Sequence, residues 1–324
     1  MKNEYLIRME EPEDCQIVTD NGGVYYRLFL RPVTSKQKNE MDCMQFHEAT
    51  TRMVNYHEHV KGTETFLISQ GKFLCNCMGR GFTMEPGDML HIQPWMGHSF
   101  IPIEPESRLN ILFMEIDMRF SLTDPRIRIQ ENFPGVFEDP ELNALFRISG
   151  GGTNPRTVPV QDDFPKDQVQ QLRPAGYGLR EHLFEGLKMQ LKVAKYETEG
   201  VKEIWDLFMK PGFYCNWDNF RPEYHVFYVT GGKIRCWVKT SATETIEFEA
   251  EKENIIHIPP YTPFGFEVIE EAQMYDIDCA ARLQDLCEEL AAYKANNEGK
   301  MPEKEAFLSM CKEYGLYITD VGNK

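Results

Sequence analysis

Residues 56–71 read YHEHVKGTETFLISQG, with His57 and His59 two apart, Glu64 five beyond His59, and Gly71 seven beyond Glu64. Residues two apart on a strand point to the same face. His57 and His59 therefore project together into one space, and Glu58 between them points away. Glu64 starts a run in which Phe66 and Ile68 share its face, so a carboxylate would enter a mainly apolar interior. An uncompensated carboxylate there is costly. A metal ion removes that cost, because it supplies the opposite charge and binds neutral imidazole and carboxylate together.

A further ligand should come from a distant strand, and residues 81–100, GFTMEPGDMLHIQPWMGHSF, offer one. Pro86, Gly87 and Asp88 predict a turn, Pro94 to Gly97 predict another, and His98 begins the returning strand. The two stretches together, HxHx4Ex6G followed by PGDx5Px3H, resemble the two sequence motifs of the cupin superfamily, small β-barrels of the jelly-roll kind. The likeness covers about Phe46 to Met114 closely and extends to the rest of the chain by duplication. It implies one divalent transition metal held by His57, His59, Glu64 and His98, with iron, manganese, nickel, copper, cobalt and zinc all compatible with that donor set.

The remaining histidines read differently. His91 lies in a strand between Leu90 and Ile92 and recurs as His257 in the parallel phrase HIPP, which marks a repeated structural position. His47 and His182 have no partner pattern. Cys75 and Cys77 share one face of a strand, and buried thiols account for them better than a second metal.

Short strand-like runs fill Val24 to about Met114, among them YYRLFLRPV, KFLCNCMG and NILFMEI, and again fill Gly178 to Ala280. Such spacing predicts an all-β fold. Matching Gly71-Lys72 to Gly232-Lys233 gives an offset of 161, which sets His225 at Glu64, Asp218 at His57 and Phe220 at His59. Matching His91 to His257 gives 166 and sets Phe264 at His98, while Lys252-Glu253-Asn254 replaces the Pro-Gly-Asp turn. The resemblance is thus to a bicupin, two tandem cupin/jelly-roll barrels with the first metal site intact and the second degenerate. The expected organisation is an N-terminal metal-binding barrel at 1–116, a linker at 117–177, a C-terminal barrel at 178–280 and a helical extension at 281–324. The linker holds FEDPELNALFRIS, a short predicted helix that Asp139 would cap. In the extension Leu283, Leu286, Leu290 and Tyr293 recur at helical spacing, and PEKEAFLSMCKEYG forms a second helix closed by Gly315.

A chain of 324 residues suits two domains. With 51 acidic against 35 basic residues its field repels phosphate backbones and anionic lipid, and no basic stripe or helix-turn-helix segment appears, so neither nucleic acid nor membrane is expected as a partner. The start, MKNEYLIRMEEPEDC, has no apolar signal region, and nine scattered cysteines read as free thiols, so the reading is cytoplasmic. Terminal helices and exposed sheet edges, together with the family likeness, suggest a homo-oligomer.

Four protein ligands leave one or two open positions for a small-molecule substrate on a five- or six-coordinate ion. Bicupins with one competent site resemble ring-cleaving dioxygenases, which makes a ring- or C–C-cleaving dioxygenase acting on an aromatic or oxygen-rich substrate the leading expectation. Glu64 would stay a ligand or detach as a general base, its pKa raised by an apolar wall. Phe66, Ile68, Trp95 and Phe100 would supply that wall and rim, or would be ordinary barrel core. The alternatives are a non-redox metal-dependent isomerase, lyase, decarboxylase or hydrolase, and a small-molecule-binding regulatory cupin without turnover.

Overall fold

Alternating apolar and polar positions, broken by Gly, Pro and Asp, become antiparallel strands in the computed structural model. It describes residues 3–9, 11, 13–20, 23–28, 39–49, 58–59, 62–114, 164–200, 202–218, 225–277 and 282–324, with 16–20, 23–28, 39–40 and 113–114 by their backbone alone. The helix expected at FEDPELNALFRIS lies outside these residues. By contacts the chain divides into two compact units, Met9–Gly176 and Met1–Arg8 with Tyr177–Lys324.

The chain opens with β1 (Leu6–Arg8), which belongs to the second unit. The first unit holds β2 (Gln16–Asp20), β3 (Gly23–Leu28), β4 (Asn39–Phe46), β5 (Thr63–Gln70), β6 (Phe73–Cys77), β7 (Arg80–Met84), β8 (Met89–Ile92), β9 (His98–Pro102), β10 (Ser107–Met114) and β11 (Leu172–Arg173). Seven of these strands form one sheet in the order β11-β8-β5-β10-β4-β3-β2, and β7-β6-β9 form another. Alternate residues of both sheets make one core, with Phe66, Ile68, Leu90, Ile92, Leu109, Ile111 and Phe46 from the larger and Phe73, Cys75, Phe82, Met84 and Phe100 from the smaller. Each large apolar side chain so buried contributes about 1.5–3 kcal/mol, which makes the inward face the one that fixes register.

The motif residues that bind nothing set the turns. Gly71 sits at φ +68°, and a Cβ there would stand 2.2 Å from Ser107 Oγ, so only glycine fits between β5 and β6. Asp88 is buried and accepts from the Glu85 amide at 3.0 Å, the Ala175 amide at 2.9 Å and Lys166 Nζ at 2.7 Å. It ties residues 166–175 to the first unit, where Leu172–Arg173 pairs with β8. These residues lie in the span read from sequence as linker.

The second unit holds β12 (Arg180–Phe184), β13 (Leu187–Val193), β14 (Ile204–Met209), β15 (Phe213–Trp217), β16 (His225–Lys239), β17 (Thr245–Glu251), β18 (Asn254–Ile258), β19 (Phe264–Asp276) and β20 (Ile318–Asn323), with helices α1 (Leu283–Asn296) and α2 (Lys304–Glu313). Its sheet runs β1-β18-β16-β19-β14-β13-β12, with β15 joining β19 to β20 and β17 beside β16. Leu283, Leu286 and Leu290 of α1 and Cys311 of α2 pack into its core, while Tyr293 stays partly exposed. Gly232, at φ +74°, repeats the role of Gly71, since a Cβ there would meet the Glu271 carbonyl at 2.1 Å.

Two further placements differ from the sequence-based organisation. Residues 6–8, read with the first barrel, pair with β18 of the second unit. Residues 318–323, read as part of a helical extension, form β20 and cover the edge of β15. Both are ladder contacts made far along the chain, which local periodicity does not register. Among the described residues no helix is long and apolar enough to cross a membrane.

Candidate metal centre

Three donor groups converge in the first unit. Glu64 projects inward from β5, His98 inward from the start of β9, and His59 precedes β5. Glu64 Oε2 lies 2.7 Å from His59 Nε2 and 2.7 Å from His98 Nε2. One ligand atom from each residue falls within 4.8 Å of the others. Glu64 and His98 are fully buried and His59 is partly exposed, so the cluster opens to one side. His57, the remaining ligand expected from the motif, lies outside the described residues.

The backbone orients these groups. His98 Nδ1 donates to the Met96 carbonyl at 2.8 Å, so in the neutral ring Nε2 carries the lone pair and faces the cluster. A lone pair set 2.7 Å from a carboxylate oxygen is a contact between two acceptors, which needs a cation or a proton between them. The donor set fits one divalent transition-metal ion, with neutral imidazoles and a carboxylate aimed at a common point. The Trp95 amide donates to the His59 carbonyl at 2.7 Å, from a residue held at φ +67°. A left-handed tryptophan is uncommon. The Pro94–Gly97 turn thus steers two ligands, one through the Met96 carbonyl and one through the Trp95 amide. Neither contact has a side-chain signature in the sequence.

Burial pushes the Glu64 carboxyl up, but when a proton rather than a metal ion fills the gap to each ring, the charge of His98 and hydrogen bonds from His59 and His98 outweigh it and hold the carboxyl well below the usual range. The raised pKa expected from an apolar wall is therefore reversed. The wall is present and burial is the largest single influence, yet the protonated imidazoles together outweigh it. Glu64 is an anionic ligand-type group here.

Phe66, Ile68 and Phe100 line the interior beside the cluster. The Phe66 ring meets His98 edge-on at 5.6 Å and Phe100 at 5.2 Å, and Phe46 and Phe73 extend the aromatic set. Trp95 is not part of this wall. Its side chain is 61% exposed, which leaves it on the outer surface of the turn.

The other candidates fall elsewhere. His91 points to the opposite face of β8, bonded to Thr65 Oγ1 at 2.9 Å, while its amide meets the Gln171 carbonyl. His47 pairs with Glu106 in solvent, and His182 is half-buried beside Trp205. Cys75 and Cys77 are core residues, and burial pushes the Cys77 thiol up to about 11 and that of Cys75 further.

In the second unit His225 occupies the position of Glu64, at the start of β16, and the residue at the position of His98 is Phe264. The His225 ring packs against Phe264 at 5.0 Å, Trp217 at 5.1 Å and Phe227 at 6.1 Å. The Asp218 amide donates to the Tyr317 carbonyl, and Phe220 lies outside the described residues.

The sequence matches no known family profile and no curated protein. Solved structures match in fold. Oxalate decarboxylase from Bacillus subtilis at pH 4.6 superposes with a TM-score of 0.53 at 16% identity, over 86% of this chain and 76% of that one. A tryptophan-to-tyrosine variant of the same enzyme gives 0.53 at 16% identity, over 86% and 78%. A structure of oxalate decarboxylase concerned with proton-coupled electron transfer gives 0.52 at 16%, over 86% and 78%. The chain therefore has the bicupin fold, two β-barrel units of the jelly-roll kind.

Proposed function

We propose that this bicupin is a metal-dependent enzyme that cleaves a carbon–carbon bond of a small, oxygen-rich substrate in its first barrel. The observation that carries the reading is the opposition of His98 Nε2 and Glu64 Oε2 at 2.7 Å, two acceptors aimed at one point inside an apolar barrel. His57, His59, Glu64 and His98 would hold the ion. When bound, the ion supplies Lewis acidity and attachment for substrate oxygens.

The side chains set what that chemistry can be. Glu64 stays anionic, so it serves as a ligand and holds no proton to give near neutral pH. Phe66, Phe100 and Ile68 exclude water from the inner side of the cluster and leave the side of His59 for entry. An apolar wall beside a carboxylate disfavours the charged group relative to neutral carbon dioxide, which supports a decarboxylase-type reaction. The oxalate decarboxylases that share the fold favour the same class.

A second reading rests on the same aromatic edges. They suit a planar ring, as a ring-cleaving dioxygenase would need. Elemental analysis of protein purified without added metal comes first, with about one equivalent of a divalent transition metal expected. Turnover is then measured on keto acids, hydroxybenzoates and catechols with and without oxygen. Carbon dioxide release under strict anoxia supports decarboxylation, and strict oxygen consumption transfers the assignment to the dioxygenase. Metal-free protein, or ligand binding without turnover on any substrate, sinks the enzyme reading.

A further inference from the structure

Among the described basic side chains of the first unit, Arg80 stands apart. Lys72 pairs with Glu85, Lys166 pairs with Asp88, and Arg108 donates to Gln45. Arg80 is exposed and forms no ion pair among the described residues. Its guanidinium lies 4.7 Å from the centre of the Phe164 ring, and the Phe164 amide donates to the Gly81 carbonyl at 2.9 Å. A chain with 51 acidic against 35 basic residues leaves this guanidinium without a carboxylate and holds it in place on an aromatic face.

The ladders fix its place. Cys77 on β6 pairs with Arg80 on β7 to one side and with His98 on β9 to the other, so the three share a face. That face is the inner one, since Cys77 and Phe82, two residues beyond Arg80, both belong to the core. The row is the last at this end of the barrel, because β6 ends at Cys77 while β7 and β9 begin at Arg80 and His98. Just beyond it the Met78 amide donates to the Gly97 carbonyl at 2.8 Å, in the turn whose Trp95 amide holds His59. Arg80 and His59 therefore stand at one end of the barrel, and both reach solvent. The charge of Arg80 also acts inward, where it opposes the rise of the buried Cys77 thiol. The second barrel supplies the contrast. There Val238 pairs with Ile246 and with Phe264, which by the offsets of 161 and 166 stand for Cys77, Arg80 and His98. Where the ligand is replaced by phenylalanine, the arginine is replaced by an isoleucine packed against the core.

Resting on the metal-dependent reading above, we propose that Arg80 binds an anionic group of the substrate at the end remote from its metal-bound oxygens. Two strand spacings separate the Arg80 and His98 backbones, about 10 Å. The guanidinium leans over Phe164, which is bonded to the outer edge of β7. A substrate that meets both ion and arginine is therefore about as long as a six-carbon acid or a substituted ring, and oxalate would not reach. A planar guanidinium offers a carboxylate two parallel hydrogen bonds, and in a negatively charged protein it makes this end locally attractive to an anion. The contact with Phe164 alone would also suit a structural arginine that holds Phe164 on β7, and ligand preference separates the two roles.

The test uses the full chain loaded with one equivalent of cobalt(II) under anoxia, whose visible absorption changes when a ligand takes an open position on the ion. The protein is titrated with 2-oxoadipate and with 2-oxohexanoate, which share a chelating end and a chain length but finish in a carboxylate and a methyl group. Wild-type protein should bind 2-oxoadipate more tightly by roughly tenfold or more. Arg80→Gln should bring the two acids within about twofold while keeping its cobalt and its affinity for 2-oxohexanoate. Wild-type protein that takes up no cobalt, or whose spectrum neither acid changes, overturns the metal reading and this inference with it. A spectral change without preference, an unchanged preference in Arg80→Gln, or an Arg80→Gln protein that unfolds or loses cobalt overturns the role of Arg80 alone.

Discussion

Glu203 offers a measurable consequence of burial away from the metal centre. Its side chain is fully buried just before β14, where Oε2 accepts from Trp205 Nε1 at 2.9 Å and from the Gln284 amide at 2.9 Å, at the N-terminus of α1. Burial pushes its carboxyl up from 4.5 to about 7, against the hydrogen bonds from Trp205 and Gln284 and the attraction of Lys195, with Asp285 adding to the rise. Between these values the folded chain takes up a proton that the unfolded chain does not. Stability from this group is therefore full below pH 4.5 and declines as pH rises to about 7. At about 1.4 kcal/mol per pH unit the loss sums to about 3 kcal/mol. Glu203→Gln keeps an acceptor for both donors and carries no charge, but its amide nitrogen takes the place of Oε1, which has no hydrogen-bond partner among the described residues. Allowing about 1 kcal/mol for that nitrogen, the variant should gain about 2 kcal/mol at pH 8 and little or nothing at pH 5. Urea unfolding followed by tryptophan fluorescence from pH 5 to 8 measures both. Parallel profiles for variant and parent, or a variant less stable at pH 8, would refute the account.

Other outcomes follow from single contacts. His59→Ala and His98→Ala should each reduce bound metal from about one equivalent to near none by elemental analysis, while His225→Ala, in an aromatic cluster, should leave it unchanged; metal lost on changing His225 would reassign the second barrel. Gly71→Ala should cost roughly 2 kcal/mol or more in urea unfolding, because a Cβ would stand 2.2 Å from Ser107 Oγ at a backbone angle of +68°, and a neutral result would show that the turn can shift. Asp88→Ala removes three bonds and leaves Lys166 only its longer contact with Glu85, at 3.8 Å. It should cost roughly 2–4 kcal/mol and speed proteolysis around residues 164–176, and unchanged cleavage there would dispose of the anchoring role.

Much of the fold was legible because its signals are local. Glycine and aspartate at the turns, alternation along the strands, and leucines at helical spacing in α1 each act within a few residues. The spacing of His59, Glu64 and His98 identified a ligand set for the same reason, since strand parity decides which side chains share a face. Placement was harder to read. Residues 6–8 and 318–323 pair with strands that are distant in sequence, and residues 172–173 pair with β8 across the span read as linker.

The tertiary structure alone decided how those ligands behave. Glu64 was expected to hold its proton more tightly beside apolar rings, and it does the reverse because two imidazoles stand 2.7 Å from one oxygen and, when protonated, stabilise its charge. Trp95 was expected at the wall and lies outside it, its amide rather than its ring serving the site. By itself the sequence determines which residues can bind a metal and on which face they stand, since both depend on residue type and local period. Their charge, their orientation and the space before them depend on contacts closed between distant strands, which only the folded chain brings together.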